Sequence, residues 1–217
     1  MRTNPFYDSW LFLIGDTNDH KGSGVQYLLV LLFLALLCAS VLIARRNWQR
    51  DPAQRTPEHV STWFMRVMIG CMWFQGSLWK LPLPVSGGFK YWLEQEIPNA
   101  AFGWHRWIVE KLLAPNIALL NLPIYLTELA MGVSFILGFF VRPVAAIGML
   151  FTLQLWLGLY RHPGEWPWLY IFLVFVQGFF LLHNAGRSLG LDALLAREPV
   201  GPFVGDGLIA RLYRRVA

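Results

Sequence analysis

Charge is scarce in this sequence. Asp, Glu, Lys and Arg make up 14% of its 217 residues, where a soluble domain carries roughly a quarter. Cysteine is scarcer still: Cys38 and Cys71 both sit inside apolar runs. That excludes a disulfide framework and reads as two small buried hydrophobes. No Cys-x-x-Cys-His attachment sequence or Cys/His zinc spacing occurs, so no metal centre is expected. The five histidines fall as His20, His105 and His162 on one side and His59 and His183 on the other. Facing histidines at matched depth are missing, which excludes a transmembrane haem. Residues 1–24 lack the basic start, apolar core and small-residue cleavage site of a secretory leader, and none is expected. Asp16, Asn18 and Asp19 would begin a calcium loop, but Lys21 stands where that loop needs glycine and no closing Glu follows.

What is abundant is apolar sequence, at 56% of residues. The runs are continuous, not alternating ten-residue strands, which excludes a transmembrane β-barrel. The chain reads as an all-α polytopic membrane protein with five transmembrane helices, at 25–44, 62–83, 121–140, 143–160 and 168–182. The first holds twenty uncharged residues, about 30 Å of helix. Residues 1–24 form an external segment. Residues 85–116 alternate Trp92, Trp104 and Trp107 with charges, as short helices lying flat at the outer interface do; a lid over the bundle and a passive interfacial belt both fit. Residues 196–217 form a basic cytoplasmic tail.

The net charge of +5 invites a nucleic-acid reading, but its distribution argues against one. Of eighteen Lys and Arg, ten fall on segments that five spans place inside and six on segments placed outside. The positive-inside rule then sets the amino terminus out and the carboxyl terminus in, with membrane lipids rather than nucleic acid as the surroundings.

Ionisable groups inside membrane helices are functional candidates by default. Arg66, Gly70, Trp73, Ser77 and Lys80 recur at steps of four and three, so they share one face of the second span. Glu128 enters the third span from the outer side, at a depth within a few ångströms of Lys80, whereas Arg66 lies about 21 Å deeper. Lys80 is therefore the favoured partner of Glu128. Snorkelling toward headgroups is the alternative for each cation, and a structural helix–helix tie is the alternative for the pair. Trp79, Tyr125 and Gln154 reach the same outer half, and with Arg66 complete the candidate cofactor-binding set around Glu128 and Lys80. A polar pocket under an aromatic lid suits a quinone headgroup or a small anion.

Several of these residues recur in a familiar order. Arg66 with Gly70, then Gly76 to Lys80, Glu-Leu-x-x-Gly at 128–132, Gly138, Arg142 and the phrase AGRSLGLDALL at 185–195 resemble the DoxX/DoxD family over residues 61–195. The resemblance implies a four-helix membrane bundle, with the span at 25–44 an addition. It also implies the cytoplasmic (inner) membrane of a bacterium or archaeon. DoxD-like members serve as the membrane subunit of a thiosulfate:quinone oxidoreductase, so Lys80 and Glu128 are implied at a quinone or sulfur-oxyanion site. The expected function is a quinone-interacting subunit with membrane or extracytoplasmic partners. The alternative is a non-catalytic structural or docking subunit of a larger energy-converting complex. A small transporter fits less well, because the five spans show no inverted repeat.

Overall fold

A computed structural model of the chain describes residues 4–16, 18–205 and 207–216, without the side chains of 209 and 214–216. Arg2 and the side chains of Arg214 and Arg215, which enter the charge count above, lie outside the described residues. No strand occurs among those described. The helices are α1 (Pro5–Leu13), α2 (Gly24–Arg50), α3 (Pro57–Leu78), α4 (Gly87–Asn99), α5 (Gly103–Ile108), α6 (Ile117–Leu137), α7 (Val141–Gly158), α8 (Pro167–Leu182), α9 (Leu191–Arg197) and α10 (Leu208–Val216). Among the described residues three helical stretches are long and apolar enough to cross a membrane, namely Gly24–Arg50, Gly103–Leu137 and Val141–Gly158. The last turns between α5 and α6 are a π turn, Val109–Leu113, and a 3-10 turn, Ala114–Asn116. Helix α8 is apolar but shorter, at 16 residues, and α3 is long but less apolar.

The packing centres on α3, α6, α7 and α8. Trp73, Met131, Phe135, Val141, Ala145, Leu173 and Phe180 form one buried core contributed by all four. The tightest seam is α3 against α6, and glycine makes it possible. A Cβ added at Gly70 would stand 2.7 Å from the Ile136 nitrogen, and one at Gly132 would stand 2.7 Å from the Phe74 nitrogen. The two backbones thus approach as only small residues allow. Helix α2 docks on the outside of this seam. Leu29 and Phe33 pack on Cys71, Phe74, Leu78 and Ile136, and Ser40 donates to the Ile136 carbonyl at 2.6 Å.

Helix limits differ from the sequence expectation where capping outweighs hydropathy. Helix α3 begins at Pro57, after Thr56 accepts a hydrogen bond from the His59 N–H at 3.3 Å, a side-chain cap followed by proline at the first position. It ends at Leu78, so Lys80 lies past the helix instead of one turn inside it. Asn121 and Pro123, expected at the start of the third span, lie within α6. The Asn121 amide does not cap the helix; it donates to the carbonyls of Lys80 at 2.9 Å and Pro84 at 2.8 Å. It thereby ties α6 to the chain leaving α3.

Candidate functional site

A hydrogen-bonded turn at the end of α3, with the Lys80 N–H donating to the Ser77 carbonyl at 3.1 Å, holds Lys80 against the bundle. Its Nζ turns over the last helical turn and donates to the Gly76 carbonyl at 3.1 Å. There it pairs with Glu128 of α6, Nζ to Oε2 at 2.6 Å, with side-chain exposures of 13% and 4%. Gly76 lies beside the pair, where an added Cβ would meet Glu128 Oε2 at an ordinary contact distance of 3.9 Å. The Phe89 ring lies 5.9 Å from Nζ, within the range of a cation–π contact.

The pair borders a cavity of about 200 Å³. Its polar end is made by Lys80, Glu128, Glu96 and Gln154, and its walls include Phe89, Trp92, Ile124 and Phe151. Such a cavity, mostly apolar with a few convergent polar groups, is the general form of a small-molecule site. Gln154 donates to Glu96 Oε2 at 2.6 Å, closing the side of the cavity between α4 and α7. Burial pushes the Glu96 carboxyl up to about 8, against the opposing pull of the Gln154 hydrogen bond and the Lys80 charge. A larger groove of about 600 Å³ runs between α1 and α3, but among the described residues Asp8 is the only carboxylate or basic group lining it.

Three of the six sequence-derived site residues meet here: Lys80, Glu128 and Gln154. Trp79 is half-buried at the end of α3 and packs on the start of α4, where a Cβ at Gly88 would lie 3.3 Å from its ring. Tyr125 is half-buried on α6. Neither Trp79 nor Tyr125 lines the cavity, because the helix limits place their side chains on other faces.

Arg66 is the larger correction. It neither snorkels nor reaches the cavity. Fully buried, it donates to the carbonyls of Phe135, Ile136 (3.4 Å) and Ser188 (3.3 Å). Phe135 is seven residues beyond Glu128, about 10 Å along the helix. Arg66 therefore serves the opposite end of the bundle, where the 185–195 phrase folds under it. Asp192 accepts from the Phe140 and Val141 N–H groups at 3.0 and 3.3 Å and from the Tyr213 hydroxyl at 2.7 Å. Asn47 of α2 donates to the Gly190 carbonyl at 2.9 Å.

Glu96 is the site residue that sequence reasoning missed. In the chain it looks like one more charge of an interfacial segment, beside Lys90 and Glu94. The available signal was spacing: Phe89, Leu93 and Glu96 recur at steps of four and three, so Glu96 shares the buried face of α4. All three are buried, whereas the Glu94 side chain is 55% exposed and pairs with Lys90 at 3.9 Å.

No protein-family model, curated protein or solved structure matches the chain.

Proposed function

We propose that this integral membrane protein is a DoxX/DoxD-like subunit that receives a quinone headgroup beside the Lys80–Glu128 pair, within a sulfur-compound:quinone oxidoreductase system. In this reading five helices cross the cytoplasmic membrane, α2, α3, α6, α7 and α8, with the amino terminus outside and the carboxyl terminus inside. The observation that carries it is the ion pair at 2.6 Å opening into a mostly apolar cavity of about 200 Å³. A buried ion pair adds little to stability, so its place at the head of a cavity argues for use. The ammonium offers a donor to a carbonyl oxygen, and Glu128 holds the ammonium in place. Gln154 offers a further polar contact, and the aromatic walls suit a planar ring. Electrons come from a partner protein carrying the redox centre. The test is quinone-dependent turnover of the complex isolated from native membranes: Glu128→Gln is expected to lose most of it with assembly intact, and normal turnover in that variant overturns the site.

A second reading, a non-catalytic docking subunit, draws on the outer rim. Trp104, Trp107, Trp166 and Trp168 are each more than half exposed, and such aromatics suit a partner surface as well as a membrane interface. Mild-detergent isolation with mass spectrometry of the co-purifying proteins and lipids separates the two. Stoichiometric quinone with a sulfur-oxidising partner supports the first, and a large complex without quinone bound to this chain supports the second.

A further inference from the structure

The cavity brings together one cation and two carboxyl groups. Lys80 is committed to Glu128 at 2.6 Å, and among the described residues Glu96 makes no ion pair. Glu96 is 4% exposed, and its Oε2 accepts from Gln154 at 2.6 Å. Two carboxylates and one ammonium, closed off from water, would leave an uncompensated negative charge, which a low-dielectric site relieves by holding a proton. Of the two acids, Glu96 is the one without a cation in contact.

The fold places this carboxyl deliberately. Helix α4 is pinned across the end of α7, with the Ala101 N–H donating to the Leu157 carbonyl at 2.7 Å and the Arg161 N–H to the Asn99 carbonyl at 3.0 Å. A Cβ at position 158 would stand 2.7 Å from Glu96 Cγ, so the glycine there leaves the acid its room. The charged and titratable groups facing it are Lys80 from the turn after α3, Glu128 from α6 and Tyr170 from α8, whose hydroxyl donates to Glu165 at 2.8 Å. His162 lies behind the wall residue Trp92, ring centroids 5.4 Å apart.

We propose that Glu96 is the proton-holding group of this cavity: its carboxyl is neutral at physiological pH and faces the ligand space as a hydrogen-bond donor, with Gln154 as its positioning residue. Gln154 occupies Oε2 and leaves Oε1 to carry the proton. The cavity then offers two donors, the Glu96 hydroxyl and the Lys80 ammonium, to a neutral ligand with carbonyl acceptors and an apolar remainder. The neutral state of Glu96 stands on the geometry alone, whereas a quinone as the ligand rests on the function proposed above. Binding such a ligand keeps the proton on Glu96, so above the titration of this acid the affinity falls by about tenfold per pH unit.

Infrared difference spectroscopy of the purified protein in lipid nanodiscs tests this, first without ligand and then with decylubiquinone. The ligand-free protein is expected to show the carbonyl band of a buried carboxylic acid that disappears as pH rises through about 8. The band is expected to be absent in Glu96→Gln, restored at a shifted frequency in Glu96→Asp, and lost at lower pH in Glu128→Gln, where the freed Lys80 ammonium compensates the Glu96 carboxylate. If Glu96→Gln fails to fold, Gln154→Leu removes the amide donor to Oε2 and moves the same band. Absence of the band at neutral pH, or its persistence in Glu96→Gln, overturns the proposal. With decylubiquinone bound, the band is expected to shift and the Kd to be flat below about pH 8, weakening above it in the wild type and not in Glu96→Gln. A Kd without pH dependence overturns the donor role. Failure of decylubiquinone to bind at any pH overturns the quinone reading, while the ligand-free band still decides the state of Glu96.

Discussion

Arg66 and Glu96 are two buried charged residue types that the chain handles in opposite ways. Arg66 keeps its charge and distributes it over three carbonyls, from Phe135, Ile136 and Ser188. Replacing it by methionine preserves bulk but removes the donor to the Phe135 and Ser188 carbonyls, while Ile136 keeps Ser40. Arg66→Met is expected to cost about 2–4 kcal/mol of stability, read by thermal unfolding in detergent. Quinone affinity should stay unchanged, because Arg66 does not line the cavity; a selective loss of affinity would put it back in the site. Glu96 handles burial by holding a proton. Its folded-state value is raised to about 8 from the ordinary 4.5, so the native state binds that proton more tightly than the unfolded chain. The resulting stability is fully present below pH 4.5 and is lost as pH rises through about 8, with a slope approaching about 1.4 kcal/mol per pH unit. Unfolding temperatures between these limits should fall with pH in the wild type and fall less in Glu96→Gln; equal slopes would refute the assignment.

At the scale of elements, the α3–α6 seam sets how closely Lys80 and Glu128 approach. Gly132→Ala places a Cβ 2.7 Å from the Phe74 nitrogen, a backbone atom that cannot swing away as a side chain does. The helices must part, at an expected cost of about 2–3 kcal/mol, and quinone affinity should fall with it because the ion pair spans the same two helices. Unfolding and binding on one preparation check both, and a variant as stable as the wild type would show that the seam is looser than described. This seam was legible in the sequence, since Gly70 and Gly132 stand in apolar runs where only close packing asks for glycine. The Lys80–Glu128 partnership was legible too, because rise per residue and chain direction set their depths. Glu96 was not, because an interfacial helix places adjacent charges on opposite faces and only docking on α7 decides which is buried. The start of the third span, expected at 121, misled for a related reason: α6 begins four residues earlier, at Ile117, and the Asn121 amide inside it is taken up by tertiary bonds to Lys80 and Pro84. Arg66 misled because one helical face runs past both ends of the bundle, and the carbonyls that receive it come from the distant 185–195 phrase.

For the whole molecule, the two ends of the bundle are built differently, and that asymmetry argues for one orientation in the membrane. One end carries the cavity, roofed by α4 and ringed by exposed tryptophans. The other is a polar knot in which Asn47, Arg66, Asp192 and Tyr213 bind α2, α3, α7 and the tail together. Its rim holds exposed arginines: Arg46 pairs with Glu198 at 2.6 Å, and Arg50 binds the same carboxylate. The positive-inside rule assigns such a basic rim to the cytoplasm, and the orientation proposed above then has the cavity open on the far side. Single cysteines introduced into a background with Cys38 and Cys71 replaced by serine read this directly. Lys90 lies on the cavity side and its side chain is 61% exposed, so Lys90→Cys should react with a membrane-impermeant maleimide in intact cells. Arg211 is exposed on α10 beyond the knot, and Arg211→Cys should react only after permeabilisation. The opposite pattern would turn the protein over, moving the cavity and its partner to the cytoplasmic face. Labelling of both positions in intact cells would mean that an even number of spans separates them, which the five-helix arrangement does not permit.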